Sequence, residues 1–215
     1  MLLTLLEKKI LTEDTRSFTF AAEGPFLFEP GQFTMLSQIG AAPKDRRAFS
    51  VASAPNASTL TFLVTYKPEG HVSGFLETAN IGAQIEAQKP IGRFVLNPQD
   101  TARVFIATGT GLAPMISFIE SDTPKIPTTI LFGVRNESRL FWTDKLPVDA
   151  LITLSQPSNT WSGLKGRVTN HTADLITKNA NAAWYICGNP EMVKEVRAAL
   201  LTASIPTANI HFEIY

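Results

Sequence analysis

The sequence has only one cysteine, Cys187, among its 215 residues. A single cysteine excludes an internal disulfide. It also excludes an iron-sulfur cluster or a structural zinc site held by cysteines of this chain alone. Any iron-sulfur centre that works with this protein must therefore sit on a partner, and we predict no metal site.

The sequence also lacks long apolar runs and an excess of charge of either sign. No apolar stretch approaches the ~20 residues that a membrane-spanning helix needs, and residues 1–9, which lack a basic leader, indicate a first strand and not a signal peptide. The 19 basic residues balance the 19 acidic ones, so nothing in the overall charge points to binding of nucleic acid or of an anionic membrane. A balanced net charge still allows a small local basic patch. We expect a soluble, cytoplasmic protein and leave its oligomeric state open.

Hydrophobic residues make up 44% of the chain, which is enough for a sizeable buried core. The length fits one large domain or two of about 100 residues each. Because the sequence pattern changes near residues 98–102, we predict two domains, 1–98 and 99–215.

The first domain has the pattern of an antiparallel barrel or sandwich, and we expect the barrel. Short β-rich runs are separated by turn residues such as Pro30-Gly31 and Pro68-Glu69-Gly70. Apolar residues at helical spacing predict one short helix over 72–80. The predicted strands are 1–9, 16–22, 32–39, 47–54, 59–66 and 84–88.

The second domain alternates buried apolar strands with helices. This alternation predicts an α/β domain with a parallel sheet covered on both faces. The predicted strands are 103–108, 128–134, 150–155, 183–187 and 210–214, and the predicted helices are 112–121, 168–178 and 191–202.

The stretch from Arg46 to Ser53 combines a cation, an aromatic ring and hydroxyls on one short strand. The Arg47 guanidinium can hold a phosphate through two parallel hydrogen bonds, the Phe49 ring can stack on a flat heterocycle, and the Ser50 hydroxyl can bond a ring nitrogen. The same string also fits an exposed charge beside a core aromatic.

Residues 104–115 form a buried strand, a glycine turn and a helix start. Small residues there let backbone N–H groups approach a pyrophosphate. Pro114 stands where the common dinucleotide fingerprint has its third glycine, and no acidic residue closes the following strand, so a simple tight turn is the alternative.

A second strand, small-residue turn and helix start occupies residues 184–192. Since open parallel sheets bind ligands beyond the carboxyl ends of their strands, Thr110, Gly111, Cys187 and Gly188 are expected to line one crevice. The alternative for Cys187 is a small buried hydrophobe.

Three strings in this order, Arg47-Ala48-Phe49-Ser50, Gly109-Thr110-Gly111-Leu112-Ala113-Pro114 and Cys187-Gly188-Asn189-Pro190-Glu191-Met192, resemble the ferredoxin-NADP reductase family. In that family an FAD-binding β-barrel precedes an NAD(P)-binding α/β domain. The connecting strings 63–73, 90–94 and 131–135 extend the resemblance over nearly the whole chain.

The resemblance implies that Arg47 holds the FAD pyrophosphate, Phe49 stacks on the isoalloxazine and Ser50 hydrogen-bonds near flavin N5. Strand alternation puts Ser50 on the face opposite to Arg47 and Phe49, so the flavin is expected to meet this strand near its end or at a bend. If Ser50 pointed into the barrel core instead, this role would be wrong. The other FAD-binding residues implied are Ala48, Leu63, Val64, Thr65, Gly70, Val72, Ser73 and Tyr215.

The string His211-Phe212-Glu213-Ile214-Tyr215 resembles the ending of the plant-type branch of the family. By that resemblance Tyr215 is a gate over the flavin face that nicotinamide must occupy, Cys187 sits beside the nicotinamide, and Glu213 pairs with Ser50. His71 is expected to be exposed and without a partner. The NAD(P)-binding residues implied are Thr110, Gly111, Arg135, Ser155, Lys165, Arg167, Cys187, Gly188 and Met192.

Two departures from the family pattern concern cofactor recognition. Phe49 replaces the more usual Tyr and loses one hydroxyl. Ser155-Gln156 lies where NADP-dependent members often have Ser-Arg, although Lys165, Arg167 or Arg135 could compensate. No acidic residue stands there to hold a 2'-hydroxyl, so the choice of coenzyme stays open, with NADPH favoured over NADH.

The resemblance therefore implies an FAD-dependent NAD(P)H:ferredoxin or flavodoxin oxidoreductase. Hydride passes from NAD(P)H to FAD N5, and single electrons then go to ferredoxin, flavodoxin or another one-electron carrier. The alternatives are an NAD(P)H-flavin reductase, the reductase component of an oxygenase system and, third, a non-catalytic nucleotide-binding subunit.

Overall fold

The computed structural model of the protein describes residues 1–121 and 125–215. The chain divides into two compact units. The first unit comprises Met1–Val95 and Ile116–Ser121, and the second comprises Leu96–Met115 and the chain that follows Ser121.

The first unit is built on an antiparallel sheet in the order β4-β3-β6-β1-β2-β5. Its elements are β1 (Leu2–Ile10), β2 (Thr15–Ala22), β3 (Phe33–Ser37), β4 (Arg47–Ser50), β5 (Leu60–Thr65), α1 (His71–Thr78) and β6 (Gln84–Ala87). Beyond the end of β4, Val51 bridges to Phe62, and the N–H of Ala52 donates to the carbonyl of Thr61 at 2.8 Å. These contacts join the two outer strands of the sheet, so the expected antiparallel barrel with one short helix is confirmed.

Alternating apolar residues fill the interior of this barrel. Leu3 and Leu5 of β1 and Phe18 and Phe20 of β2 are almost fully buried in one apolar cluster. A shift in register between Leu5 and Glu7 interrupts the alternation in β1. Helix α1 adds Val72 and Leu76 to the same cluster, as residues four apart on one helix face can.

The second unit is built on a parallel sheet in the order β10-β9-β8-β7-β11-β12. Its elements are β7 (Arg103–Thr108), the start of α2 (Leu112–Ser121), β8 (Thr128–Val134), β9 (Leu151–Leu154), β10 (Leu164–Lys165), α3 (Thr172–Lys178), β11 (Ala183–Gly188), α4 (Pro190–Thr202) and β12 (Ile210–Ile214). The expected α/β domain is confirmed. The helix predicted over 168–178 begins as a 3₁₀ turn at Val168–His171, and the two-residue β10 was not predicted.

The chain adds strands on one side of β7 and then crosses to the other side. It runs from β7 through β8 and β9 to β10, after which β11 pairs with β7 and β12 pairs with β11. The strand order therefore reverses between β7 and β11, and ligands of open α/β sheets bind at such a switch point.

Within residues 1–121 and 125–215, none of the helices is long and apolar enough to cross a bilayer. The same ranges contain no group of three or more His, Cys, Asp or Glu side chains arranged to hold a metal ion.

Candidate functional site

Strand β4 presents its side chains alternately to the two faces of the first sheet. Phe49 packs against the apolar cluster that contains Val51, whereas Ser50 lies on the opposite face and is 3% exposed. Ser50 therefore does not point into the barrel core. Its predicted hydrogen bond near flavin N5 stays a prediction. Phe49 is only partly buried, so part of its ring surface is left for stacking.

The predicted flavin residues of β5 divide in the same way. Val64 belongs to the core cluster, and by alternation Leu63 and Thr65 lie on the outer face that also carries Ser50. The side chain of Val64 is thus unavailable to a ligand, and only its backbone can contribute.

Arg47 is exposed at the start of β4. Its Nη1 donates to the carbonyls of Lys44 and Arg46, each at 2.8 Å. One side of the guanidinium is therefore held by its own loop, which limits the conformations of this cation.

Helix α1 begins at His71, directly after Gly70, and no side chain of the described residues caps it. The first N–H groups of a helix have no partner within the helix and attract anions. The Ser73 hydroxyl donates to the Lys67 carbonyl at 3.0 Å and accepts from the Lys67 N–H at 3.2 Å, so it stabilises the turn. Val72 is buried in the core, so the phosphate donors expected here are backbone N–H groups.

The start of α1 lies beside the loop that leads to β4. His71 Nε2 is 3.3 Å from Asp45 Oδ1, and Gln38 Nε2 donates to the His71 carbonyl at 2.9 Å. His71 is half exposed as expected, but the expectation that its ring has no partner is wrong. An exposed Arg47 and an uncapped helix start on neighbouring segments suit the diphosphate of FAD.

At the switch point of the second unit, the ends of β7 and β11 touch through their backbones. A Cβ atom on Gly111 would lie 2.3 Å from the Cys187 carbonyl oxygen, and one on Gly188, whose φ is +138°, would lie 2.3 Å from Thr108 Oγ1. Only glycine permits this approach. The small-residue turn Gly109–Gly111 fits the close backbone approach that a coenzyme pyrophosphate needs.

The start of α4 is already satisfied by its own cap. Asn189 Oδ1 accepts from the N–H groups of Glu191 at 3.0 Å and Met192 at 3.3 Å. Met192 is 7% exposed and packs in the core of this unit. The expectation that Met192 contacts the coenzyme therefore stays a prediction, for a side chain that is mostly buried in this structure.

Cys187, Glu213 and Tyr215 meet at the carboxyl ends of β11 and β12. Cys187 pairs with Glu213 in the strand register, and the Tyr215 N–H donates to the Gly188 carbonyl at 3.2 Å. The thiol is fully buried, and Tyr215 is close enough to act on its pKa through a hydrogen bond. Burial and then the Glu213 charge raise the pKa of the Cys187 thiol well above its usual range, against the opposing effect of the Tyr215 bond. The thiol is therefore neutral, which suits packing and not nucleophilic attack.

Arg135 follows β8 and contacts Gln156, which stands where the resemblance described above leads one to expect an arginine. Its Nε donates to Gln156 Oε1 at 2.8 Å, and the Gln156 N–H donates to the Arg135 carbonyl at 2.7 Å. Ser155 precedes Gln156, and the Ser155 N–H donates a hydrogen bond to the Val134 carbonyl. Lys165 on β10 and Arg167 just beyond it are both exposed.

Glu137 is a charged group in the same pair of loops that the sequence reasoning missed. Its carboxylate accepts from the N–H of Ser158 at 2.9 Å and from the Ser158 hydroxyl at 2.6 Å. These hydrogen bonds lower the pKa of Glu137, so it is ionised at neutral pH. No short motif marks this contact, because it joins residues 21 positions apart on different loops.

Comparison with known proteins also divides the chain into two parts. The family model described as the oxidoreductase FAD-binding domain matches residues 2–96, and the oxidoreductase NAD-binding domain matches residues 105–198. Ferredoxin--NADP reductase B of Sorangium cellulosum is 33% identical over 219 residues, which cover 93% of this chain and 90% of that protein.

A curated relative from an oxygenase system is longer than this chain. The electron transfer component of 2-halobenzoate 1,2-dioxygenase from Burkholderia cepacia is 30% identical over 94% of this chain, and the match spans 63% of that protein. The crystal structure of a ferredoxin NADP+ reductase from Neisseria gonorrhoeae with bound FAD and NADP has a TM-score of 0.85 and 24% identity, covering 100% of this chain and 98% of that one. The structural likeness shows the fold.

Proposed function

We propose that this chain, which belongs to the ferredoxin-NADP reductase family, oxidises NAD(P)H and passes electrons one at a time to a protein carrier of the ferredoxin type. It is a flavin-dependent oxidoreductase with an FAD-binding and an NAD-binding domain. When bound, FAD supplies hydride acceptance and the conversion from two-electron to one-electron transfer, which amino-acid side chains cannot provide.

The observation that carries this proposal is the group Cys187, Glu213 and Tyr215 at the strand ends of the second unit. Tyr215 lies against the buried thiol, so admitting a nicotinamide beside Cys187 requires the Tyr215 ring to move. The neutral thiol then packs against the nicotinamide and orients it. Glu213 supplies a carboxylate that can hold or move a proton at this position.

For FAD, we assign the diphosphate to Arg47 and to the first N–H groups of α1. The Phe49 ring would lie against the isoalloxazine, and the Ser50 hydroxyl would bond its edge near N5. The support is the exposure of Arg47, the uncapped helix start and the position of Ser50 on the face of β4 opposite to the core cluster, where its hydroxyl is buried. Ala48, Leu63, Thr65 and the backbone of Val64 would complete the flavin surface.

For the coenzyme, we propose a preference for NADPH based on Arg135. The hydrogen bond from Arg135 to Gln156 leaves a guanidinium beside the position where an arginine is usual in NADP-dependent members, and Lys165 and Arg167 add positive charge. Glu137 places a carboxylate in the same loops and opposes a 2'-phosphate. The preference is therefore expected to be moderate, about tenfold, which is the scale of one charge-assisted hydrogen bond.

Replacement of Arg135 tests this preference. Arg135→Ala should raise KM for NADPH about tenfold and leave KM for NADH nearly unchanged, because only NADPH carries the phosphate. Arg139→Ala, which removes an arginine four residues further along, is the control and should alter neither value. An unchanged KM for NADPH in Arg135→Ala would remove Arg135 from the coenzyme site.

The overall activity is tested by steady-state reduction of cytochrome c with NADPH and with NADH, with and without added ferredoxin or flavodoxin. We expect FAD to stay bound through gel filtration and turnover to rise when the carrier is added. Loss of flavin on the column, with turnover restored by free FMN or riboflavin, would favour an NAD(P)H-flavin reductase. A colourless protein that neither binds FAD nor oxidises NAD(P)H would favour a non-catalytic subunit.

A second candidate is the reductase of an oxygenase system. It is favoured by the 30% identity to an electron transfer component of a dioxygenase. Because this chain has one cysteine, the carrier in that case must hold its own iron-sulfur centre. Faster cytochrome c reduction through an oxygenase-type ferredoxin than through flavodoxin would support this candidate.

A further inference from the structure

Strand β12 carries a third chemically active side chain, His211, on the face that bears Glu213 and Tyr215. Successive side chains of a strand alternate between faces, so residues 211, 213 and 215 share one face. The other face is turned to α4, where the Arg197 guanidinium lies 4.0 Å from the centre of the Phe212 ring. In the register of β11 and β12, Tyr185 pairs with His211 just as Cys187 pairs with Glu213.

The His211 ring rests on a rigid support. It stacks on the Tyr185 ring with centroids 4.5 Å apart and planes 15° from parallel. Tyr185 is fully buried, and its hydroxyl donates to Asp100 Oδ2 at 2.7 Å and accepts from the Asn97 N–H at 2.9 Å. Arg103 Nε in turn donates to the same Asp100 oxygen at 2.9 Å, and both of these charged side chains are almost completely buried.

Stacking, and not a hydrogen bond through Nε2, holds the His211 ring in place. The Nε2 atom is buried and has no hydrogen-bond partner among the residues that the structure describes. A buried imidazole nitrogen without a partner is costly. The stacking contact with Tyr185 offsets this cost. Because Tyr185 is held by Asp100, which pairs with Arg103, the stack also anchors β12 to these buried groups.

The position of β12 explains why such support matters. It is the edge strand of the sheet and pairs only with β11 among the strands described. An edge strand has backbone hydrogen bonds on one side only, so its end is the least constrained part of the sheet. Glu213 and Tyr215 lie at that end.

We propose that His211 is a positioning residue whose neutral ring, stacked on Tyr185, sets the end of β12 so that Glu213 and Tyr215 meet Cys187. Its effect on hydride transfer rests on the proposed function, in which these three residues receive the nicotinamide. Its effect on the order of β12 does not depend on that function.

The charge state of His211 gives this arrangement a pH dependence. Tyr185 of β11 stacks on His211, and the charge of Asp100, just before β7, acts on it. Arg103 is paired with Asp100, and Glu213 lies on the same face of β12 as His211. Burial lowers the pKa of His211, and the Asp100 charge opposes that shift. Since the pKa in the folded protein lies below the unfolded value, the stabilisation is present above the unfolded value and is lost as pH falls through the folded value. Acid should therefore loosen β12.

Three variants of the FAD-loaded protein test the proposal by two measurements. His211→Ala removes the stack, His211→Phe keeps an aromatic ring that cannot be protonated, and Ile214→Val is a control on the opposite face of the same strand. The measurements are amide hydrogen exchange of residues 211–215 and anaerobic stopped-flow reduction of the flavin by NADPH across the acid range.

We expect His211→Ala to increase exchange in β12 about tenfold and to slow flavin reduction by a similar factor, with FAD content unchanged. His211→Phe should keep the slow exchange and most of the rate, and the decline of the rate at acid pH should disappear. Ile214→Val should behave like the wild type.

Unchanged exchange in β12 of His211→Ala would overturn the proposal. So would a His211→Phe variant as impaired as His211→Ala, or one that keeps the acid decline of the wild type. Exchange that responds as expected in a protein that NADPH does not reduce would refute the proposed function and leave the positioning role standing.

Discussion

The two units build their candidate sites in different ways. In the first unit, the candidate diphosphate site comes from two short local segments, the strand start at Arg47 and the helix start at His71, and the cation is exposed. In the second unit, Gly111 and Cys187 lie more than 70 positions apart in sequence, and Glu213 follows Cys187 by a further helix and loop. These residues meet only because β7, β11 and β12 are neighbours in the sheet, with Cys187 fully buried. The first site depends on a charge that must stay accessible, and the second depends on close packing that must be opened.

The largest effect should come from breaking the close packing of the second unit. In Gly111→Ala the new Cβ would lie 2.3 Å from the Cys187 carbonyl oxygen, which is backbone and cannot rotate away. We expect a loss of about 3 kcal/mol in the free energy of unfolding, from the overpacking cost of core positions, measured by denaturant unfolding, and a loss of NAD(P)H oxidation.

Gly24→Ala is the matched control in the first unit. No other described atom lies within 4 Å of a Cβ at that position, apart from the residue and its chain neighbours. Its stability should change by no more than about 0.5 kcal/mol. Similar stability losses in both glycine variants would contradict the contrast drawn between the two sites.

A smaller effect should follow from removing the accessible charge of the first unit. Arg47→Ala should weaken FAD binding about 30-fold, because charge-assisted hydrogen bonds to phosphate are worth ~1.5 to 3 kcal/mol. Stability of the flavin-free protein should be nearly unchanged, since Arg47 is exposed. Fluorescence titration of the flavin-free protein with FAD measures the effect.

The neighbouring arginine provides the control for that titration. Arg46→Ala should alter FAD affinity less than about threefold, a change within the range of ordinary surface substitutions. Undiminished affinity in Arg47→Ala, or an equal loss in both variants, would remove Arg47 from the diphosphate site.

The smallest expected effect concerns the alkylation rate of Cys187, which tests whether its thiol is neutral and covered. Because its pKa is raised by burial and by Glu213, alkylation by iodoacetamide should be slow throughout the neutral and mildly alkaline range. Tyr215→Ala should speed alkylation about tenfold at one pH by uncovering the sulfur, and it should also tighten coenzyme binding. Rapid alkylation of the wild type at neutral pH would contradict the buried position of the thiol.

The sequence predicted the parts of each site that follow from local patterns. Alternation in β4 correctly placed Phe49 and Ser50 on opposite faces, and the apolar strands separated by helices correctly indicated the parallel sheet. It could not predict the contacts of His71 with Asp45, of Arg135 with Gln156 or of Glu137 with Ser158, because each joins side chains from different loops. The burial of Met192 was also not expected, because its position after a glycine turn resembles a binding motif, whereas helix periodicity turns its side chain into the core.

The same limit explains why His211 was not expected to have a role. Its partner Tyr185 belongs to another strand, and the support at Asp100 and Arg103 comes from the beginning of the second unit. Strand register, which the sequence alone does not specify between β11 and β12, decides that these groups meet.

The most direct test of the central claim is anaerobic stopped-flow reduction of bound FAD by NADPH in the wild type and in Cys187→Ala. The claim is that NAD(P)H delivers its hydride at the strand ends where Cys187 and Tyr215 lie. We expect the flavin absorbance of the wild type to fall rapidly and that of Cys187→Ala to fall at least about tenfold more slowly at equal FAD content, because a misplaced reacting group loses rate steeply. Equal rates in the two proteins would contradict the account.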